Sequence, residues 1–139
     1  MLKKLLPLAL IWAVAGTAWA SGHKAEDEAP PPSNISYFEL APEIITNYAT
    51  PGNRIGYVRV KVQIMVDSPA DLEVVQYNAA VLRDIVITSI YSKDLSVISS
   101  PVGRDSIVNE CKSRMDAFFQ DREGRRLIRE VLFTNFIFQ

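Results

Sequence analysis

Between Ile55 and Val66 the sequence alternates with a period of two. Val58, Val60, Val62, Ile64 and Val66 occupy one parity, and Tyr57, Arg59, Lys61, Gln63 and Met65 the other. Successive side chains of a strand point to opposite faces. The segment is therefore a strand with one apolar face and one mixed face, long enough to be the spine of a sheet. An apolar sheet face must be covered by another layer, so the rest of the chain has to supply that cover.

Two helices can do so. Asp67-Ser68-Pro69 opens the first, with Pro69 suited to the first helical position and Asp71 bringing negative charge to the first turn. Leu72, Val75, Ala79, Leu82 and Val86 recur every three or four residues and share a face. The spacing predicts one helix from 69 to about 90. A second is predicted over about 102–119, with Ile107, Cys111, Met115 and Phe118 on its apolar side. Lys93 to Ile98 reads as a helical turn, and Ser99-Ser100-Pro101 resets the chain.

Short extended segments at Ile35–Leu40 and Ile44–Ala49, separated by Pro42, precede the long strand, and Thr50-Pro51-Gly52-Asn53 is a turn. Asp121 to Gly124 is expected to be a solvated connection, and Glu130 to Phe138 returns to strand. The run Val131-Leu-Phe-Thr-Asn-Phe-Ile-Phe-Gln139 is too apolar for a frayed tail. It is expected in the core, paired beside the long strand. The fold class is α+β: an antiparallel or mixed sheet covered by two helices.

The first residues read differently. Lys3 and Lys4 precede an apolar stretch from Leu5 to Ala15, and Ala18-Trp19-Ala20 has the small-x-small pattern of a cleavage site. Residues 1–20 are therefore a signal peptide or a short membrane anchor. The run is short against the roughly 20 apolar residues a spanning helix needs. In both readings Lys3 and Lys4 stay inside and the remainder is exported. Residues 21–34, with charged residues and Pro30 to Pro32, read as a flexible proline-rich spacer. Residues 35–139 form one domain.

Without Lys3 and Lys4, 13 of the 15 basic residues remain against 16 acidic ones. The resulting charge near −3 argues against a nucleic-acid partner. Cys111 is the single cysteine, so packing without an internal disulfide must hold the exported domain.

No constellation for catalysis emerges. The single histidine, His23, lies in the spacer, and no histidine or cysteine pair offers a zinc site. Cys111 sits on an apolar stripe and reads as a buried, inert thiol. Glycine-rich phosphate loops and a nucleophile elbow are missing from the sequence. The chain is expected not to be an enzyme and to use no cofactor or metal. The basic cluster Arg122, Arg125, Arg126 and Arg129 is the candidate interaction surface. It suits an acidic partner or anionic headgroups, or else is a solvated face neutralised by Asp121, Glu123 and Glu130.

The closing Val131-Leu-Phe-Thr-Asn-Phe-Ile-Phe-Gln139 resembles the terminal V-L-F-T-x-F-x-x-Q of the flagellar basal-body-associated FliL family. Gly56-Tyr-Val-Arg-Val-Lys-Val-Gln63 is similar to that family's central strand. Ser99-Ser-Pro-Val-Gly-Arg-Asp-Ser-Ile107 is similar to its Ser-x-x-Gly-x-x-x-Leu entry into the second helix. The likeness covers about 37–139. It implies a periplasmic domain of the stomatin and prohibitin (SPFH) type that self-associates into a ring around the periplasmic part of the flagellar stator. The implied task is structural support of the stator, and so of torque and motility, at the basal body. The implied place is the periplasmic side of the inner membrane, or the soluble periplasm if the leader is cleaved. The alternative is a periplasmic adaptor or ligand-binding module of another cell-envelope assembly.

Overall fold

A computed structural model describes residues 34–139, so the leader and all of the spacer before Asn34 lie outside the described residues. Strands β1 (Ser36–Glu39), β2 (Ile44–Tyr48) and β3 (Gly56–Val66) come first. Helices α1 (Pro69–Tyr77), α2 (Ala79–Tyr91), α3 (Leu95–Ile98) and α4 (Pro101–Glu123) follow, and β4 (Ile128–Phe138) closes the domain. The expected α+β class is observed, with a wholly antiparallel sheet.

β3 is the spine. β4 pairs along it on one side. On the other side β1 pairs with its Gln63–Val66 end and β2 with its Gly56–Val60 end. Glu39 stands opposite Gln63 and Ile44 opposite Val60, so four residues of the first edge span two of β3. The extra length bends out at Leu40–Glu43, and the Ala41–Pro42 peptide is cis. Arg83 of α2 clamps this bend, donating to the carbonyls of Leu40, Pro42 and Glu43 at 3.2, 2.7 and 3.1 Å.

The alternating residues of β3 divide as their parity requires. Val58, Val60, Val62, Ile64 and Val66 are fully buried beneath the helices, each stabilising the fold by about 1.5–3 kcal/mol. The helices divide the sheet between them: α2 lies over β2, α4 over β4, and α1 beside β1, with α2 packed on α4. Leu82, Val86, Ile90, Ile107, Cys111, Met115 and Phe119 complete the core.

The single helix expected to 90 is broken at Asn78. Its Nδ2 donates to the Val74 carbonyl at 2.8 Å, while its carbonyl accepts the amides of Val81 and Leu82. An asparagine bonded to nearby backbone ends one helix and begins the next. The second helix is longer than expected. It absorbs Asp121–Glu123, the supposed solvated connection, and stops at Gly124, whose φ of 70° is the left-handed cap that glycine adopts without strain.

β4 pairs as expected, and its first part joins the core while its end does not. Among the described residues it forms one edge of the sheet, and its register shifts twice, skipping Thr134 and Arg129. Each shift is a β-bulge, with one unopposed residue. The bulges place Ile128, Val131, Phe133, Phe136 and Phe138 opposite Val66, Ile64, Val62, Val60 and Val58 on the helix side. Ile128 and Val131 are buried, Phe133 and Phe136 half-buried, and Phe138 is 39% exposed. Leu132, on the other parity, points away from the helices.

Candidate interaction surface

The four arginines predicted to act together lie around the α4–β4 connection. Leu127 and Ile128 are buried there and anchor the connection in the core. The flanking Arg122, Arg125, Arg126 and Arg129 are thereby held exposed. The turn between them is fixed by Gly124, whose amide donates to the Gln120 carbonyl at 3.1 Å and whose carbonyl accepts from Gln120 Nε2 at 3.0 Å.

Two of the four are engaged within the chain. Arg125 donates to Asp71 in the first turn of α1, and Arg129 Nη1 lies 2.7 Å from Asp67 Oδ1, just after β3. The pairs tie the α4–β4 connection to the β3–α1 connection. Their acidic partners are remote in sequence; Glu123 adds only a weaker charge interaction with Arg125. Asp71 is 6% exposed. The hydrogen bond from Arg125, helped by the Ser68 hydroxyl, holds its carboxyl below the usual carboxylate range against the opposing effect of burial.

Arg122 and Arg126 are differently placed. The Arg122 guanidinium lies 5.5 Å from the Phe118 ring centroid on the last turn of α4, a cation–π contact at a helix end that also favours positive charge. Arg126 makes no ion pair among the described residues. It stands at the rim of a polar cleft of about 510 Å³ with Lys112, Asp116 and Asp121. The Lys112–Asp116 pair, 2.8 Å apart, occupies one oxygen of that aspartate.

A second surface lies on the mixed face of β3, around Arg59, and sequence reasoning did not name its apolar members. Ile45 and Ile137 flank Arg59 across the sheet on its helix-free side, and they are 58% and 46% exposed. Tyr37 and Tyr57 are exposed on the same face. The parity of β3 marked that face as mixed, but only the register of β2 and β4 reveals which apolar residues join it. Cys111 is fully buried, and burial pushes its thiol up to about 11, which suppresses the reactive thiolate. No group of acidic, histidine or cysteine residues suited to a metal ion occurs among the described residues.

The same residues frame a comparison with known proteins. A family model described as flagellar basal body-associated protein FliL matches residues 37–139, from β1 through β4. The chain is also similar to the flagellar protein FliL of Aquifex aeolicus (strain VF5). The two are 34% identical over 116 residues, covering 84% of this chain and 68% of that protein.

Proposed function

The chain belongs to the flagellar basal body-associated protein FliL family, and from this premise we propose that it is a non-catalytic stator-supporting component of the motor. The domain at 35–139 works on the periplasmic side of the inner membrane. Residues 1–20 direct its export as a cleaved signal peptide or a retained anchor, and residues 21–34 space it from the membrane. Copies associate into a ring with an SPFH-type fold, which surrounds the periplasmic part of the stator and assists torque and motility.

The observation that supports this reading most is the extent of the family match, which takes in every strand and helix of the domain. The arginine face gives it a contact surface. Exposed guanidinium groups pair with carboxylates in a planar, two-pronged geometry that favours a defined docking angle. Arg122 and Arg126 are the contact residues proper, while Arg125 and Arg129 brace the surface through Asp71 and Asp67.

The test separates the two pairs. Reversing Arg122 and Arg126 to Glu should leave the domain folded, with a midpoint lowered slightly by loss of the Arg122–Phe118 contact, and should lower the number of stator units at the motor and the swimming speed. Reversing Arg125 and Arg129 should lower stability instead, by setting like charges against Asp71 and Asp67. Normal occupancy and speed in a folded Arg122→Glu, Arg126→Glu variant would remove the arginine face from the mechanism.

A further inference from the structure

β4 leaves a backbone edge open beside a half-filled groove. Tyr57 and Gln139 exchange both of their backbone hydrogen bonds, at 3.1 and 2.9 Å. In an antiparallel pair such bonded positions alternate with unbonded ones. Ile137 and Asn135 are therefore bonded to β3, while the amides and carbonyls of Phe136 and Phe138 point away from it. Among the described residues no strand pairs with that outer edge.

The groove runs between this edge and the first half of α4. It holds about 470 Å³, and Arg104, Val108, Val131, Phe133 and Phe136 are among its walls. Phe133 and Phe136 stack on each other with centroids 5.8 Å apart, and both remain half-exposed. The Arg104 guanidinium lies 5.8 Å from the Phe136 centroid. Its Nε is buried and has no hydrogen-bond partner, and Arg104 takes part in none of the ion pairs among the described residues. A buried donor left unpaired is costly.

We propose that this edge and groove receive an extended peptide from a partner protein by strand addition, with an acidic side chain of that peptide meeting Arg104. Each half of the site specifies part of the occupant. Unpaired strand amides and carbonyls are satisfied by another strand. The residue opposite Phe136 points to the same face of the sheet, which is the face carrying Arg104. A carboxylate at that position pairs with the outer nitrogens of the Arg104 guanidinium, which takes part in none of the ion pairs among the described residues. Two residues along, the next side chain on this face meets the wall that holds Phe133 and Val108, and an apolar residue fits it. Asp105 and Glu130 also line the groove, both exposed to water, so their repulsion of the incoming carboxylate is screened. The bulge at Thr134 limits the paired stretch to a few residues, which suits a short, reversible contact. The site is separate from the arginine face, so its failure leaves the stator reading standing.

A fluorescein-labelled peptide, Thr-Val-Thr-Asp-Thr-Val-Thr, paired antiparallel to β4 with its Asp opposite Phe136, serves as the probe against the full chain. Fluorescence anisotropy should show saturable binding, with hydrogen exchange slowed at the amides of Phe136 and Phe138. Replacing the peptide's Asp by Asn, or making the folded Arg104→Gln variant, should each weaken binding about tenfold, and the two changes together should cost little more than either alone. N-methylating the two peptide valines should abolish binding. Absence of saturation at millimolar peptide, indifference to N-methylation, or equal affinity for the Arg104→Gln variant would each overturn the proposal. So would concentration-dependent dimerisation that protects the same two amides, because a second copy would then own the edge.

Discussion

Gly103 occupies the third position of α4, where its amide donates to the Ser100 hydroxyl at 3.2 Å. In an ordinary helix Gly→Ala gains about 0.5–1 kcal/mol from backbone entropy. Here a Cβ would lie 2.1 Å from the Val97 carbonyl oxygen and 2.8 Å from the Val97 carbonyl carbon and Cα, whereas ordinary contact begins at 3.4 Å. The obstacle is backbone, and it is held on both sides. The Val97 carbonyl accepts the Ser100 amide at 3.2 Å, and the Val97 amide donates to the Asp94 cap of α3 at 3.2 Å. Moving it by more than 1 Å also shifts Ile98, which is fully buried. Overpacking of this kind costs about 1–3 kcal/mol, toward the upper end where backbone must move. The steric term wins, and Gly103→Ala should destabilise by roughly 2 kcal/mol. At about 4–8 °C per kcal/mol for a domain of this size, the midpoint should fall by about 10 °C. Thermal melting by circular dichroism reads this directly. Gly124→Ala is the internal comparison: its Cβ meets nothing within 4 Å, and only the φ of +70° is penalised, for about 1–2 kcal/mol. An unchanged or raised midpoint for Gly103→Ala would refute the claim that α3 and α4 are locked together by backbone contact at this glycine.

Other predictions follow from burial and charge. Phe119→Ala, which empties a fully buried site, should cost about 3–5 kcal/mol, whereas Phe138→Ala at the exposed end of β4 should cost under about 1 kcal/mol; equal losses in chemical denaturation would contradict the edge placement of β4. Because the Asp71 carboxyl is held below its ordinary value of 3.8, its stabilisation is complete above that value and is lost as pH falls through the lower folded value. Asp71→Asn should therefore lower the melting midpoint at neutral pH and flatten its acid dependence, and an unaltered acid limb would contradict the Arg125 pairing. Cys111 should resist a thiol reagent at about pH 8 until the protein unfolds, and prompt labelling of the native protein would contradict its burial.

Much of the architecture was legible because it rests on local periodicity. The parity of β3 named its five buried residues, and the reset read at Ser99-Ser100-Pro101 falls at the entry to α4. The chain between Val66 and Ala79 was less legible, because the apolar stripe passes through Asn78 unbroken while the asparagine side chain takes up backbone bonds and divides the helix. β4 pairs where expected, but the exposure of its end was not foreseen, for a physical reason. Apolar composition signals a strand, but its burial depends on whether another strand lies beyond it. The two bulges, which bring Phe133 and Phe136 to one face despite their odd spacing, are set by pairing with β3. The arginine cluster was visible as a run of charge. Its division into braced and unbraced members was not, because Asp67 and Asp71 meet it only through the fold.

The proposed role stands or falls on the motor itself. Deleting the gene and counting stator units at the flagellar motor, together with swimming speed, tests it most directly. The account predicts that both fall on deletion and return when the wild-type chain is supplied. Unchanged stator occupancy and speed in the deletion strain would contradict stator support and turn attention to another cell-envelope assembly.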